Sequence, residues 1–426
     1  MYKKIVLKNG LRLILVPRTE NASVTVMFGV GAGSRHEPDE IAGVSHVIEH
    51  MNFKGTKIRP SAIEVSEFIE DIGGLVNAFT SKEITGYYVK IASEHLEKAF
   101  DYISDNVQNS LNLRPEFERE IKVVIEDLKM HKDRPMEEAA ELFEESIFTN
   151  KSLARRVGGY PSSVEKISLD QMIEFEKENY VAENCALCVV GNFSGRTEKE
   201  MAALAEKYFN LRQGKKQNLI RSETVDRIVI ATDIRKIEQT SMTVGFAGPG
   251  LKDNDKYAAR ILARILGGSM SSRMFTEVRE KRGLAYAIDT DCQSYMDIGT
   301  IVTQAGIAHN KLAETLKAIL NEYKKISSAV VTNKELMRAK EITRGGMLIG
   351  LEDSENVAEM FLSSELEQGE IIAPEEIIKR YLAVTKEDVL AAAKKYFDFD
   401  KVVVSVVGPK IDKEKIRNIT STDSFH

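Results

Sequence analysis

The chain repeats itself, and that repeat constrains its fold more than any other feature. Val24-Thr25-Val26-Met27-Phe28-Gly29-Val30-Gly31-Ala32-Gly33 reads as an apolar strand ending in glycines, and Met242-Thr243-Val244-Gly245-Phe246-Ala247-Gly248-Pro249-Gly250 returns to the same design. Each is followed by a charged stretch and a helical pattern. The first pattern contains His46 to His50; the second runs through Ala258, Ile261, Leu262 and Ile265 to Gly267-Gly268. Further on, a helix ends at Gly73-Gly74 and its counterpart near Gly283. A strand then leads to an amphipathic helix, Leu96 to Val107 in one half and Leu312 to Tyr323 in the other. Each half closes on a valine-rich strand, Cys188 to Gly191 and Val402 to Gly408. The pattern predicts an α+β fold of two similar domains, an internal duplication, each a mixed or antiparallel sheet flanked by helices. The polar stretch around Arg212-Gln213-Gly214-Lys215-Lys216-Gln217 is the natural joint. It divides the chain into residues 1–212, a linker 213–222, and residues 223–426.

Composition narrows the class. Hydrophobic content of 43% and charged content of 29% suit a globular protein. A net charge of −6 argues against general nucleic-acid affinity. No apolar run reaches the length of a membrane span. The first residues read as a hairpin turning at Asn9-Gly10 rather than as a secretory leader, so a cytoplasmic location is expected. Cys185, Cys188 and Cys292 are too few for a disulfide framework. Period-two alternation sends Cys185 and Cys188 to opposite faces of an apolar strand, which fits buried thiols rather than a redox or metal pair.

The chemistry concentrates in His46-Val47-Ile48-Glu49-His50. Two histidines four apart share one helix face, and Glu49 projects close by. Two neutral imidazoles and an adjacent carboxylate are the donors and base that a catalytic zinc uses. With only seven histidines in 426 residues, the spacing is a specific signal. The order His-x-x-Glu-His is the inverzincin pattern. A third ligand is then required. Phe117, Ile121, Val124, Ile125 and Leu128 fall in a narrow arc of a helix spanning 115–131. Glu120 and Asp127 lie together on one flank of that arc, and Glu126 points away. Elsewhere, His36 reads as a loop residue. Gly267-Gly268-Ser269-Met270 lacks the ending of a phosphate loop, which excludes nucleotide binding there.

The string Ser45-His46-Val47-Ile48-Glu49-His50-Met51-Asn52-Phe53-Lys54-Gly55-Thr56 resembles the signature of the pitrilysin, insulinase and mitochondrial processing peptidase family, in its two-domain prokaryotic branch. The resemblance implies zinc held by His46, His50 and a carboxylate at Asp127, with Glu120 as a supporting carboxylate and Glu49 as general base on zinc-bound water. Gly73-Gly74-Leu75-Val76-Asn77-Ala78-Phe79-Thr80 is similar to the family segment along the cleft, so Asn77, Ala78 and Phe79 would meet substrate. Arg279 and Tyr286 match a pair that contacts the substrate carbonyl. The implied activity is zinc-dependent endopeptidase cleavage of short or unfolded peptides inside a clamshell chamber. The implied assembly is a homodimer, or a heterodimer with a related subunit, with peptide as the partner and neither nucleic acid nor membrane. The alternative within the family is a non-catalytic or weakly metal-binding subunit that binds peptides and completes a partner peptidase. One departure bears on this choice. Aspartate stands at 127 where the family has glutamate, and its reach is shorter by ~1.5 Å. An inward shift of the helix, a bridging water, or Glu120 taking the ligand place would each accommodate it. Asn52 also departs from the usual apolar residue.

Overall fold

The computed structural model describes residues 2–216 and 219–421, so Gln217 and Asn218 of the expected linker lie outside the described residues. Two compact units are present. The first takes residues 1–128, 155–220 and 349–372, and the second 129–154, 221–348 and 373–426. The chain passes between them at Ile220 and Arg221, and each unit also takes a segment from the other half of the sequence.

In the first unit a six-stranded sheet runs in the order β1-β2-β6-β3-β5-β4. Its strands are β1 (Lys3–Val6), β2 (Arg12–Pro17), β3 (Ser23–Val30), β4 (Leu75–Thr80), β5 (Thr85–Ala92) and β6 (Cys185–Gly191). In the second unit the order is β7-β11-β8-β10-β9. These strands are β7 (Val229–Ile234), β8 (Gln239–Gly248), β9 (Ala285–Ser294), β10 (Gly299–Ala308) and β11 (Val403–Gly408). With the extra β1 set aside, the two orders are identical. Even the single parallel pair recurs, β2 with β6 and β7 with β11, among otherwise antiparallel neighbours. The expected α+β duplication is therefore present in the strand order itself.

Alternation along the strands builds two cores on each sheet. Leu13, Leu15, Val26, Phe28, Cys185 and Leu187 face one side of the first sheet, packed with Phe100 and Ile103 of the Leu96–Asn109 helix. Ile14, Val16, Met27 and Cys188 face the other. Cys185 and Cys188 thus occupy opposite faces, and all three cysteines are buried and free. The second face is covered by Val357, Phe361 and Leu362 of the Ser354–Ser363 helix, a segment from late in the chain. In the second unit Phe143 and Ile147 of the Pro135–Ile147 helix pack with Tyr295 and Val403 in the same manner. Among the described residues no helix is long and apolar enough to cross a membrane.

Candidate metal centre

The centre is built on a short helix, Val44–Met51. Val44, Ser45, Val47, Ile48 and Met51 are buried, while His46, Glu49 and His50 are half-buried on the remaining face. A helix of eight residues gains little from propensity, so its packing and its caps must hold it. Glu37 supplies the cap. Its two carboxyl oxygens accept the backbone N–H groups of Gly43 at 2.7 Å and Ser45 at 2.8 Å. A carboxylate there also suits the positive end of the helix. Burial nonetheless pushes the Glu37 carboxyl up to about 7, against those hydrogen bonds. Gly43 enters the helix at φ 99°, and a Cβ there would lie 2.4 Å from the Gly158 carbonyl oxygen. Only glycine satisfies both conditions.

Each histidine faces a carboxylate of the Arg114–Lys132 helix. His46 Nε2 lies 3.9 Å from Asp127 Oδ2, and His50 Nδ1 lies 3.2 Å from Glu120 Oε2. Glu120 is buried, and its other oxygen receives Lys54 Nζ at 2.9 Å. The two imidazole rings stand nearly perpendicular, 4.7 Å between centroids. Gly158 borders His46, and a Cβ added there would stand 3.3 Å from His46 Nδ1 and 2.4 Å from Leu128.

Glu49 accepts a hydrogen bond from Thr80 Oγ1 at 2.5 Å. Burial raises its carboxyl above the usual range, the Thr80 hydroxyl and His50 oppose the rise, and Asp127 adds to it. Thr80 ends β4, the edge strand that carries Asn77, Ala78 and Phe79. Asn77 is exposed and turns its side-chain oxygen to the Ala78 N–H at 2.9 Å. Arg279 and Tyr286 belong to the second unit. Arg279 sits on a π-helical turn, Phe275–Glu280, with its guanidinium 4.7 Å from the Phe275 ring centre, and Tyr286 on β9 is 48% exposed.

Three contributors escaped the sequence reading. Thr80 ends the β4 segment and belongs to no catalytic motif of its own. Glu37 lies well before the helix it caps. Asn52 is buried and donates to Tyr87 Oη at 3.0 Å, which pairs with Tyr180 Oη at 2.8 Å. Its polarity therefore completes an internal network behind the helix.

The pattern extends beyond this chain. Residues 12–159 match the family model described as Insulinase (Peptidase family M16), and residues 166–343 match the one described as Peptidase M16 inactive domain. The protein is 32% identical over 400 residues to the uncharacterized zinc protease YmxG of Bacillus subtilis, covering 94% of this chain and 97% of that one. The chain belongs to the insulinase family, M16. An uncharacterized zinc protease of Rickettsia felis is 31% identical to this M16 chain, over 95% of it and 96% of the relative. Among solved structures, a protease from Helicobacter pylori superposes with a TM-score of 0.89 at 23% identity, over 96% of this chain and 99% of that one. A peptidase M16 inactive domain from Pseudomonas fluorescens does so at 0.87 and 20%, over 96% and 98%. At those identities the two structures speak for the M16 fold alone.

The donor chemistry of these side chains suits zinc. Two imidazoles and a carboxylate form a common catalytic set, and a ligating histidine normally turns its second nitrogen to a carboxylate, as His50 does toward Glu120. Tetrahedral zinc ligands stand roughly 3.4 Å apart, and the His46–Asp127 gap is 3.9 Å. Among the described residues no three His, Cys, Asp or Glu side chains are gathered as a ready metal cluster. Glu120 keeps to His50 and Lys54, and Asp127 stands on the His46 side.

Proposed function

We propose that this M16 chain is a zinc-dependent endopeptidase acting on extended, short or unfolded peptides. The observation that carries the reading is the half-buried face of the Val44–Met51 helix, where Glu49 lies beside two histidines and each histidine meets its own carboxylate. His46, His50 and Asp127 would hold the metal, and Glu120 orients His50. Zinc supplies a Lewis acid that polarises a peptide carbonyl and acidifies water. Glu49, held by Thr80, takes the proton of the attacking water and passes it to the leaving amine nitrogen. Burial raises its affinity for that proton, which suits a group that must both accept and return it.

Substrate adds to the free edge of β4 as a further strand, its main chain meeting Asn77, Ala78 and Phe79. Arg279 and Tyr286 act on the carbonyl oxygen as negative charge develops, within a dimer of identical or related chains. The second reading is a peptide-binding subunit without activity of its own, favoured by the shortened arm at Asp127 and the lack of a ready cluster among the described residues.

Metal analysis joined to cleavage of a quenched fluorescent peptide decides between them. The peptidase carries stoichiometric zinc and loses activity to a chelator, and Glu49→Gln keeps zinc while losing at least roughly a hundredfold in kcat. Zinc-free protein that binds the peptide without cutting it supports the second reading. Retained turnover in Glu49→Gln refutes the role of Glu49.

A further inference from the structure

The duplication places a second cleft in the second unit, where the first has its metal centre. In the first sheet Phe28, Tyr87 and Ala78 pair in one row across β3, β5 and β4. In the second, Phe246, Ile301 and Cys292 pair in the same row across β8, β10 and β9. Thr80, the hydrogen-bond partner of Glu49, thereby corresponds to Ser294. The metal helix corresponds to Lys256–Leu266, which packs beside β9 as its counterpart does beside β4. The shift that carries Ala78 to Cys292 also carries His46 to Arg260, Glu49 to Ala263 and His50 to Arg264. Burial supports this alignment. Arg260 and Arg264 are the half-buried residues of an otherwise buried helix, as His46 and His50 are half-buried in theirs.

A cavity of about 330 Å³ lies between these parts. Arg260, Ala263 and Arg264 form one wall and Asp291 to Ser294 another. Thr343 comes from Asn333–Gly350, the helix corresponding to the one that bears Asp127, and Tyr381 closes a further side. The cavity is large enough for a small ligand group.

Its charge is unusual. Arg260 donates from Nη1 to Tyr381 Oη at 3.2 Å, and Arg264 donates from Nη1 to the Gly268 carbonyl at 3.1 Å. Among the described residues neither makes an ion pair with a carboxylate. The groups that act on Arg260 are the hydroxyls of Tyr381 and Tyr257 and the Cys292 thiol, which are ordinarily neutral at pH 7. Asp289 lies within electrostatic reach of Arg264. Asp291 and Gln293 line the cavity from the exposed side of β9, Asp289 is exposed, and Thr290 and Cys292 are the buried members of that wall. Sheltered guanidinium groups carry a desolvation cost unless an anion answers them. Two of them one helical turn apart can clamp an oxyanion with paired N–H donors.

The geometry points to an anion site in the second unit, in which Arg260 and Arg264 clamp a carboxylate of an extended peptide lying along the free edge of β9. The edge selects the ligand. β9 pairs only with β10 among the described strands, so its outer backbone groups can receive another strand, as those of β4 can. A cation-binding pair of histidines in one unit thus has an anion-binding pair of arginines in the other. This assignment needs neither zinc nor turnover.

The test uses the full chain, zinc-free and carrying Glu49→Gln, so that cleavage and metal play no part. Fluorescence anisotropy compares one labelled peptide ending in a free carboxylate with its amidated twin, and inorganic phosphate serves as a competitor. The free-acid peptide should bind roughly tenfold more tightly than the amide, and phosphate should erode that difference. Arg260→Gln with Arg264→Gln should abolish the difference, and the paired lysine variants should keep part of it. Ala263→Glu, which places an internal carboxylate between the arginines, should abolish it too. The paired lysine variants, which keep both charges, keep the proposal testable if the glutamine variants fail to fold: an acid preference unchanged from the parent's, or lost altogether, in the folded lysine pair also overturns the site. Equal binding of both peptides, or an acid preference that survives in folded glutamine variants or in Ala263→Glu, overturns the site. Phosphate binding without any acid preference overturns the peptide assignment.

Discussion

At the scale of single residues, the proposed zinc centre turns on one methylene. Asp127 stops 3.9 Å from His46, and lengthening it adds ~1.5 Å of reach. Asp127→Glu is therefore expected to tighten zinc several-fold in competition with a chelator. Unchanged or weaker affinity would count against Asp127 as a ligand. Behind the helix, Glu176 accepts from Asn112 Nδ2 at 3.4 Å, and burial pushes its carboxyl up to about 7 despite Asn112, Arg212 and Asn52. The unfolded chain gives up that proton near 4.5. Between those values the folded state binds more protons, so this group's contribution to stability is full below 4.5 and is lost as pH rises toward 7. Measured by Tm against pH, wild type should lose ground to Glu176→Gln across that window. Parallel curves would show that Glu176 is not held protonated. The shared half-buried face of His46, Glu49 and His50 was legible because it depends on local helical spacing. Thr80, Glu37 and Asn52 were not, because each acts through a contact that only the tertiary fold creates.

At the scale of elements, the short Val44–Met51 helix depends on what flanks it. Its entry requires a left-handed residue and a close approach to Gly158. Gly43→Ala should cost about 1–3 kcal/mol from backbone strain alone, with more from the clash. A urea midpoint that falls at constant slope, together with weaker zinc retention, is the expected result. An unchanged midpoint would mean that the entry adapts. The long elements could be read in advance because their periods are strong. The arc from Phe117 to Leu128 marks the Arg114–Lys132 helix, and the alternation through Cys185 and Cys188 marks β6. The glycine-ended strands correctly announced the repeat. The amphipathic patterns of Pro135–Ile147 and Ser354–Ser363 name a buried face, but a pattern of that kind does not say which sheet it covers.

At the scale of the whole molecule, duplication has kept the scaffold and changed the chemistry. The two sheets share a strand order, and in each a helix faces an edge strand, yet one cleft offers imidazoles and the other guanidiniums. The exchanged segments bind the halves of the sequence in a different way. The face of the first sheet formed by Ile14, Val16, Met27 and Cys188 is covered by Val357, Phe361 and Leu362. A fragment of residues 1–220 should therefore aggregate or bind a hydrophobic dye, and a peptide of residues 349–372 added in trans should relieve this. A soluble, dye-silent fragment would contradict that dependence. For a chain leaving the ribosome, the consequence is one of timing. The histidines are made early, but the back of their sheet stays bare until residue 372 has emerged. The young protein must wait, or be sheltered, for most of its own synthesis before its first half can close.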